Sequence, residues 1–353
     1  MKVIFDVQHL YYLPQFLPVQ RELAARGHET LFVFHEELEC AEALAVVSQG
    51  LPQVHVKGAR DAHREYLKQQ PDWLIFGNGY DHLDELPAGT RTALLYHGIG
   101  VKRCYYGAGL MRMTLRFVEG EYRERELQRR YPEAKLRAVG FAKLDPLFRD
   151  PAGIRLDLAA LGLDPSLPTV LYAPTYYPSS IERLPADLPA RFEGCNLLVK
   201  PHHFSWTKSY YAPQRKRLES WRRFDNAFVA GPGEVSLLPF MAAADILVSE
   251  ASSALFEFAA LDRPVVWCDF FHRRWAHRGP LAWRLEKRLD RSIEQYADIA
   301  SHAATPNALV EVVKQALAFP AERSEVRCRY TRELIGPTDG QASRRIADAL
   351  ETF

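Results

Sequence analysis

The sequence predicts an α/β protein that contains two doubly wound, Rossmann-like domains. A strand, a helix and a second strand follow one another within residues 3–34, which is a βαβ unit and implies a parallel sheet. A second alternating series of strands and helices begins at Thr169. The length of 353 residues agrees with this division, because domains usually contain roughly 100 to 200 residues.

The N-terminal half begins with a short β-rich strand over residues 3–7 and a predicted loop over 9–18. A helix over 19–26 follows and ends at Gly27, after a basic last turn. Asp61 is the expected N-cap of the next helix. The later elements of this half are predicted strands at 31–34, 54–56, 73–76, 92–96 and 136–139, and helices at 62–69 and 121–130.

The stretch 145–165 is rich in Pro, Gly and Asp and is interpreted as the interdomain linker. The predicted domains are therefore residues 1–150 and 151–335, and a C-terminal helix within 336–353 packs back on the first domain. The second half contains predicted strands at 169–172, 196–199, 227–229, 246–249 and 265–268, and helices at 236–243, 254–260, 306–318 and 340–350.

Charge, cysteine usage and hydropathy exclude several classes of protein. The 45 basic and 44 acidic residues nearly cancel, whereas a dedicated nucleic-acid binder carries a basic excess. The five cysteines are scattered without a CxxC pair, so neither a disulfide framework nor a structural zinc site is expected. No signal peptide and no transmembrane helix is expected, because no apolar run approaches about 18 residues.

The first polar cluster directly follows the strand predicted at 92–96. His97 has the near-neutral pKa that suits a general base. Gly98 allows close approach of the backbone to a ligand, and Lys102 can bind a phosphate group. The alternative is an ordinary turn in which His97 caps a backbone group.

Two further clusters follow strands of the second half. Lys200 and His202 flank Pro201 and can donate hydrogen bonds to phosphate oxygens. The alternative is an ordinary surface turn. A metal site is not expected, because no carboxylate or cysteine lies nearby at ligand spacing. Ser252 and Ser253 precede a helix, where hydroxyl groups cap the helix or help to bind phosphate.

Three more candidate residues lie in the second half. Ser249 ends the strand before the serine pair and is assigned to donor phosphate binding. Glu257 can accept hydrogen bonds from ribose hydroxyl groups. Thr175 follows the first strand of the second half and, with its tyrosine neighbours, can line a nucleotide pocket, although aromatic residues beside a turn usually serve packing.

Taken together and in order, these clusters resemble the CDP-glycerol glycerophosphotransferase family of teichoic-acid and capsule synthesis. The matching stretches are His97-Gly98 with Lys102, residues 140–145 with Lys143, residues 172–175, Lys200-Pro201-His202, and Ser252-Ser253 with residues 256–258 and Pro264. They extend over about half of the chain.

The resemblance implies a GT-B fold, with an acceptor-side first domain, a nucleotide-donor second domain and the active site in the cleft between them. It implies a CDP-activated polyol donor and a glycan or lipid-linked acceptor. His97 would be the catalytic base that activates the acceptor hydroxyl, and the catalytic His202 would lie at the donor phosphates. Gly98, Lys102, Lys143 and the paired serines would contribute to phosphate binding.

The chain departs from the family pattern at several positions of the pocket walls. Residues 99–102 are Ile-Gly-Val-Lys where Thr-Pro-Leu-Lys is usual, Glu250-Ala251 replaces Asp-Tyr, and His203 replaces a proline. A CDP-ribitol donor or a sugar nucleotide therefore remains open. The alternative functions are a GT-B glycosyltransferase, a UDP-sugar 2-epimerase and a non-catalytic scaffold in a polysaccharide-synthesis complex.

No Asp-x-Asp motif follows a predicted cleft-facing strand, so catalysis without a metal or other cofactor is expected. A cytoplasmic location is expected, either free or peripheral on the inner face of the plasma membrane. Two stretches mix basic and apolar residues and would suit an anionic membrane surface, namely residues 102–113 and 270–288. The alternative is an ordinary solvated surface with arginine side chains.

Overall fold

The computed structural model describes residues 1–36, 44–46, 48–99, 103–272 and 291–353. The chain divides into two compact units. The first unit contains residues 1–150 together with 332–353, and the second contains residues 151–331. Among the described residues, no helix is both long enough and apolar enough to cross a membrane.

The first unit is built on a parallel sheet with strand order β3-β2-β1-β4-β5-β6-β7. Its strands are β1 (Lys2–Val7), β2 (Glu29–His35), β3 (Gln53–Val56), β4 (Trp73–Phe76), β5 (Arg91–Leu95), β6 (Leu115–Val118) and β7 (Leu136–Ala138). Its helices before the second unit are α1 (Leu13–Ala25), α2 (Ala59–Gln69), α3 (Glu121–Arg130) and α4 (Asp145–Arg149). Short 3-10 turns lie at Leu10–Tyr12, Leu83–Glu85, Arg103–Tyr106, Ala108–Met111 and Ala142–Leu144.

Apolar side chains cover both faces of this sheet, as expected for parallel strands that carry helices on each side. Consecutive residues of a strand point to opposite faces. Phe5 accordingly packs with Phe16 of α1 on one face, while its neighbour Ile4 packs with Tyr66 of α2 on the other. From β1, the chain first adds strands on one side of the sheet and then, beginning with β4, on the other side. The place between β1 and β4 is therefore the topological switch point, and doubly wound sheets bind ligands at the carboxyl ends of the strands beside it.

The second unit is a six-stranded parallel sheet of the same kind, with order β10-β9-β8-β11-β12-β13. Its switch point therefore lies between β8 and β11. The strands are β8 (Thr169–Tyr172), β9 (Asn196–Val199), β10 (Ala227–Val229), β11 (Ile246–Ser249), β12 (Val265–Cys268) and β13 (Ser301–Ala303). The helices are α5 (Pro151–Ile154), α6 (Leu188–Arg191), α7 (Phe204–Thr207), α8 (Ala212–Trp221), α9 (Leu238–Ala243), α10 (Ser253–Ala259) and α11 (Leu309–Ala318). Further 3-10 segments are Ile181–Arg183, Ser209–Tyr211 and Arg291–Ile299.

The C-terminal segment belongs to the first unit. Helix α12 (Ser324–Leu334) leads back to it, and α13 (Ala342–Thr352) packs on α1. Leu350 is completely buried, and its carbonyl oxygen accepts a hydrogen bond of 3.1 Å from the Trp73 indole. The Asp145 carboxylate accepts hydrogen bonds from the backbone N–H groups of Ala342 and Ser343, at 3.1 and 2.7 Å. This side chain therefore satisfies first-turn donors that a helix leaves unpaired.

Several predicted boundaries were wrong for identifiable reasons. Residues 13–18 are helical rather than part of a loop, since Pro14 stands in the first turn of α1, where a missing N–H costs nothing. Asp61 is not an N-cap, because α2 begins at Ala59 with Gly58 as its cap. The predicted linker contains two short helices, α4 and α5. Strands β6 and β13 and helices α8 and α12 were missed.

One predicted membrane-contact stretch is also corrected by the structure. Tyr105, Tyr106, Leu110 and Met113 are each less than 8% exposed and pack in the core of the first unit. These apolar side chains are therefore committed to the protein interior and are not presented to a bilayer. Most of the other stretch, from residue 273 to residue 288, lies outside the described residues.

Candidate functional site

In the first unit, His97 lies two residues after the end of β5 and is surrounded by three tyrosine rings. The imidazole centroid is 4.7 Å from the Tyr96 ring, 4.6 Å from Tyr11 and 5.0 Å from Tyr12. Tyr11 and Tyr12 belong to the 3-10 turn after β1. Burial raises the pKa of Tyr12 well above its ordinary value, so this neighbour stays neutral at physiological pH. The packed rings hold the half-buried imidazole in a defined orientation at the carboxyl edge of the sheet.

Gly98 is required by close packing. A Cβ atom at this position would overlap the Tyr105 hydroxyl group. The Arg123 guanidinium lies 4.7 Å from the centroid of the Tyr105 ring and donates a long hydrogen bond of 3.4 Å to the Gly98 carbonyl. The loop at Gly98, the Tyr105 ring and the Arg123 guanidinium are thus in contact, and a side chain added at Gly98 must displace one of them.

A buried ion pair between Arg123 and Glu119 holds the Arg123 guanidinium in this position. Arg123 and Glu119 are 3% and 6% exposed, and Nε of Arg123 lies 2.8 and 2.9 Å from the two carboxylate oxygens. Arg116 is also buried and donates to the Tyr105 carbonyl at 2.8 Å. Burial and the neighbouring Arg123 lower the pKa of Arg116 to about 10. Sequence reasoning missed Arg116 because a buried arginine interrupts the apolar pattern of β6, and it assigned no role to Glu119 or Arg123.

The packing around Gly98 gives a testable expectation. Gly98→Ala should displace the His97 loop and lower kcat by roughly 100-fold, since a misplacement of about 1 Å costs that much in catalysis. Steady-state kinetics with CDP-glycerol and an acceptor would measure it. Gly109→Ala is the matched control, because a Cβ there meets open space. Equal rates for both variants would contradict the role of this close approach.

Lys143 and Lys102 are the remaining candidate phosphate-binding residues of the first unit. Lys143 is half-buried in the 3-10 turn after β7, and its backbone N–H donates to the Gln15 side chain at 2.7 Å. Gln15 also lines a small recess with Tyr96, at the carboxyl ends of β5, β6 and β7. The recess thus places the Lys143 turn near the ring that packs on His97. Lys102 lies outside the described residues.

In the second unit, Glu250 organises the carboxyl ends of the two strands at the switch point. It follows β11 and is 5% exposed. One carboxylate oxygen accepts the Thr175 N–H at 2.7 Å, and the other accepts the Ser180 N–H at 2.7 Å and the Ser180 hydroxyl. Burial raises the pKa of the Glu250 carboxyl, while these hydrogen bonds oppose the rise. The carboxylate thereby fixes both ends of the segment 175–180, which follows β8.

Thr175 belongs to that segment. Its hydroxyl group donates to the Pro178 carbonyl at 2.6 Å, and the bond between Tyr177 and Pro178 is cis. Tyr176 packs against His202, with a ring-centroid distance of 4.7 Å. The segment after β8 and the turn after β9 are therefore in contact.

His202 is uncharged in this environment. Burial, with His203 and Lys200 nearby, lowers its pKa to about 3. Its Nδ1 accepts a hydrogen bond of 3.2 Å from the Phe204 N–H, so the proton of the neutral ring lies on Nε2. A neutral imidazole in this tautomer can donate one hydrogen bond to an oxygen atom without carrying a charge.

The three candidate serines at the end of β11 and the start of α10 have different surroundings. Ser252 is the N-cap of α10, and its hydroxyl oxygen accepts from the Ala254 N–H at 3.2 Å. Ser253 is the half-buried first residue of the helix. Ser249 is completely buried and donates to the Ala173 carbonyl at 2.7 Å. This hydroxyl ties β11 to the residue after β8 and is not presented to a phosphate, which corrects the predicted role. Glu257 is only 2% exposed.

Comparison with solved structures shows the fold. The chain is similar to the wall teichoic acid polymerase TagF, with a TM-score of 0.69, 14% identity, and coverage of 99% of this chain and 88% of that one. It is also similar to UDP-GlcNAc 2-epimerase from Neisseria meningitidis, with a TM-score of 0.61, 12% identity and coverage of 100% of both chains. The predicted GT-B fold class is confirmed. No curated protein matches the sequence.

Comparison with protein families gives a more specific result. The profile of the family described as CDP-glycerol:poly(glycerophosphate) glycerophosphotransferase matches residues 112–352, which is more than half of the chain. This range includes the motifs from Gly140 to Pro264 but begins after His97. The match confirms the predicted enzyme class and disfavours the nucleotide-sugar alternatives. The chain therefore belongs to the CDP-glycerol:poly(glycerophosphate) glycerophosphotransferase family.

Proposed function

We propose that this transferase moves glycerol phosphate from CDP-glycerol to a hydroxyl group of a surface-glycan or lipid-linked acceptor and releases CMP. The family assignment supports the donor and the reaction class. One observation in the structure supports the donor half of the site. Glu250 joins the segments after β8 and β11 at the switch point, where the sheet of the second unit is expected to bind its ligand.

The acceptor hydroxyl attacks the β-phosphorus of CDP-glycerol. A bond forms between that phosphorus and the acceptor oxygen, and the bond to the bridging oxygen of the pyrophosphate breaks. The electron pair leaves with CMP, and the acceptor proton passes to His97. Phosphoryl transfer of this kind depends mainly on positioning and on stabilisation of charge on the phosphate oxygens.

The side chains of the second unit suit that stabilisation. Neutral His202 donates from Nε2 to a phosphate oxygen of the donor, without the desolvation cost of a buried charge. Lys200 adds a positive charge to the same turn. Ser253 contributes its hydroxyl group and, with the following N–H groups, the start of α10. Thr175 forms a wall of the nucleotide pocket.

Thermal unfolding with nucleotides tests the proposal. A ligand at 100 times its Kd stabilises the folded state by about 2.7 kcal/mol, which for units of this size raises Tm by roughly 5–10 °C. CDP-glycerol and CMP should produce this shift in the presence of EDTA, and UDP-GlcNAc should not. His202→Ala and Ser253→Ala should reduce the shift with CDP-glycerol, whereas Ser220→Ala, a serine whose hydroxyl donates within its own helix, should keep it.

Different outcomes separate the alternatives. A shift with UDP-GlcNAc alone would contradict the CDP-glycerol donor and support a nucleotide-sugar enzyme. Loss of the shift in EDTA would contradict metal-independent donor binding. A normal shift without release of CMP on any acceptor would favour the scaffold function.

A further inference from the structure

We propose that Gln214 is a positioning residue for His202 and acts on it through Tyr176. Gln214 lies in α8 and belongs to none of the motifs that predicted the site. The inference rests on the proposed function, in which His202 donates a hydrogen bond to a phosphate oxygen of CDP-glycerol. It deepens that function by assigning a residue of a helix to the donor half of the site.

The Gln214 side chain is completely buried and binds the backbone of the segment 175–180. Its amide nitrogen donates a hydrogen bond of 2.9 Å to the Tyr176 carbonyl. Because a carbonyl oxygen only accepts hydrogen bonds, the NH₂ group of the amide must face it. Among the described residues, the amide oxygen of Gln214 has no hydrogen-bond partner. Burial of an amide is costly unless the group is hydrogen-bonded, and the bond to Tyr176 compensates part of that cost.

This bond holds a part of the segment that Glu250 does not hold. The Glu250 carboxylate accepts hydrogen bonds from the N–H groups of Thr175 and Ser180, at the two ends of the segment. Gln214 instead binds the carbonyl group of Tyr176. The backbone of residues 175 and 176 is thereby fixed at an N–H group and at a carbonyl group, which determines the direction in which the Tyr176 side chain leaves it.

Tyr176 connects this attachment to His202 by two contacts. Its ring packs on the His202 ring, with a centroid distance of 4.7 Å and an interplanar angle of 50°. It also packs edge-on against Phe204, at 5.0 Å and 81°. The Phe204 N–H is the donor to Nδ1 of His202, so the residue that sets the tautomer of the imidazole also contacts Tyr176. A shift of Tyr176 would therefore change both the position of the imidazole and the surroundings that keep its proton on Nε2.

A double-mutant cycle measures whether Gln214 acts through His202. Gln214→Met keeps the length of the side chain but cannot donate to the Tyr176 carbonyl. In isothermal titration with CDP-glycerol, we expect Gln214→Met to raise the Kd by about 2- to 10-fold, which corresponds to one hydrogen bond. In the His202→Ala background, the same substitution should have no further effect. Gln315→Met is the control, because it makes the same change at an exposed glutamine of the second unit.

The cycle can also contradict the inference. An equal rise in Kd in both backgrounds would show that Gln214 acts independently of His202, and an unchanged Kd in Gln214→Met would show that it has no role in donor binding. Tyr176→Leu removes the connecting ring and leaves the Gln214 amide in place. It should give the same result in the cycle, so the inference stays testable if Gln214→Met folds poorly.

NMR of the ¹⁵N-labelled histidines separates this inference from the proposed function. The His202 signals are identified by their absence from His202→Ala. In the wild type they should show the neutral tautomer and stay constant between about pH 5 and 8, because burial lowers the pKa of His202 to about 3. In Gln214→Met the ring is less covered, so its pKa should rise toward the ordinary value and the signals should titrate in this range. His203 and Lys200, which also lower this pKa, are the same in both proteins.

The two measurements fail in different ways. Identical His202 signals in the wild type and in Gln214→Met would overturn the inference. Unchanged CDP-glycerol affinity in His202→Ala would instead refute the phosphate role proposed for His202, and the NMR comparison would still decide whether Gln214 positions the ring.

Discussion

His97→Ala is expected to lower kcat by about 10²- to 10⁴-fold, the usual contribution of a general base, while the affinity for CDP-glycerol stays unchanged. The expectation follows from the position of the imidazole. His97 follows β5 in the first unit, whereas His202 and Ser253, to which the proposal assigns phosphate contacts, belong to the second. Removal of the ring therefore deletes the proton acceptor and leaves the phosphate contacts intact.

Two measurements on purified variants check this expectation. Isothermal titration with CDP-glycerol reports donor affinity, and CMP release with an acceptor reports kcat. His55→Ala is a matched control, since His55 is an exposed histidine on β3 of the same unit. If His97→Ala kept a rate within a few-fold of His55→Ala, His97 would not be the base. If donor affinity fell with the rate, the division of roles between the units would be wrong.

Glu250→Gln is expected to lower the affinity for CDP-glycerol by roughly 10-fold or more and to destabilise the protein by about 1–3 kcal/mol. Both oxygens of the Glu250 carboxylate accept hydrogen bonds, one from Thr175 and the other from Ser180. An amide replaces one oxygen by an NH₂ donor. One backbone N–H would then face a second donor in a buried place, so the segment 175–180 would lose one of its two attachments.

Chemical denaturation and titration with CDP-glycerol measure the two effects separately. Glu193→Gln makes the same chemical change at an exposed glutamate of the second unit and should alter neither quantity. Unchanged donor affinity in a stably folded Glu250→Gln variant would show that the segment after β8 does not bind the donor. Unchanged stability would show that the buried hydrogen bonds of Glu250 contribute little.

The pattern of strands and helices could be predicted because buried parallel strands appear as short apolar runs. Trp73–Phe76 and Thr169–Tyr172 were predicted with correct bounds for this reason. Strand β6 was missed because Arg116 interrupts its run of apolar residues. The buried arginine is tolerated there because it donates to the Tyr105 carbonyl and lies near the Glu119–Arg123 pair. Such compensation depends on residues distant along the backbone and is invisible in a local pattern.

The site was predictable in part for a similar reason. Residues after strand ends, such as His97 and His202, could be selected from position and residue type. Glu250 was noticed only as a departure from the family pattern, because its importance comes from hydrogen bonds to residues 70 and 75 positions earlier. Ser249 had the expected residue type, but its hydroxyl group is used by the Ala173 carbonyl. Tyr11 was assigned to a loop and received no role.

The return of α13 to the first unit also affects the order in which the chain can fold during synthesis. Domains generally fold as units while the nascent chain emerges, beginning with the N-terminal one. Here, however, Ile346 and Leu350 complete the hydrophobic core that Phe5 and Trp73 begin. The ribosome must therefore translate the whole second unit before the first can close its core. Until then, the α1 surface that α13 covers stays exposed, which makes the nascent first unit a candidate for chaperone protection.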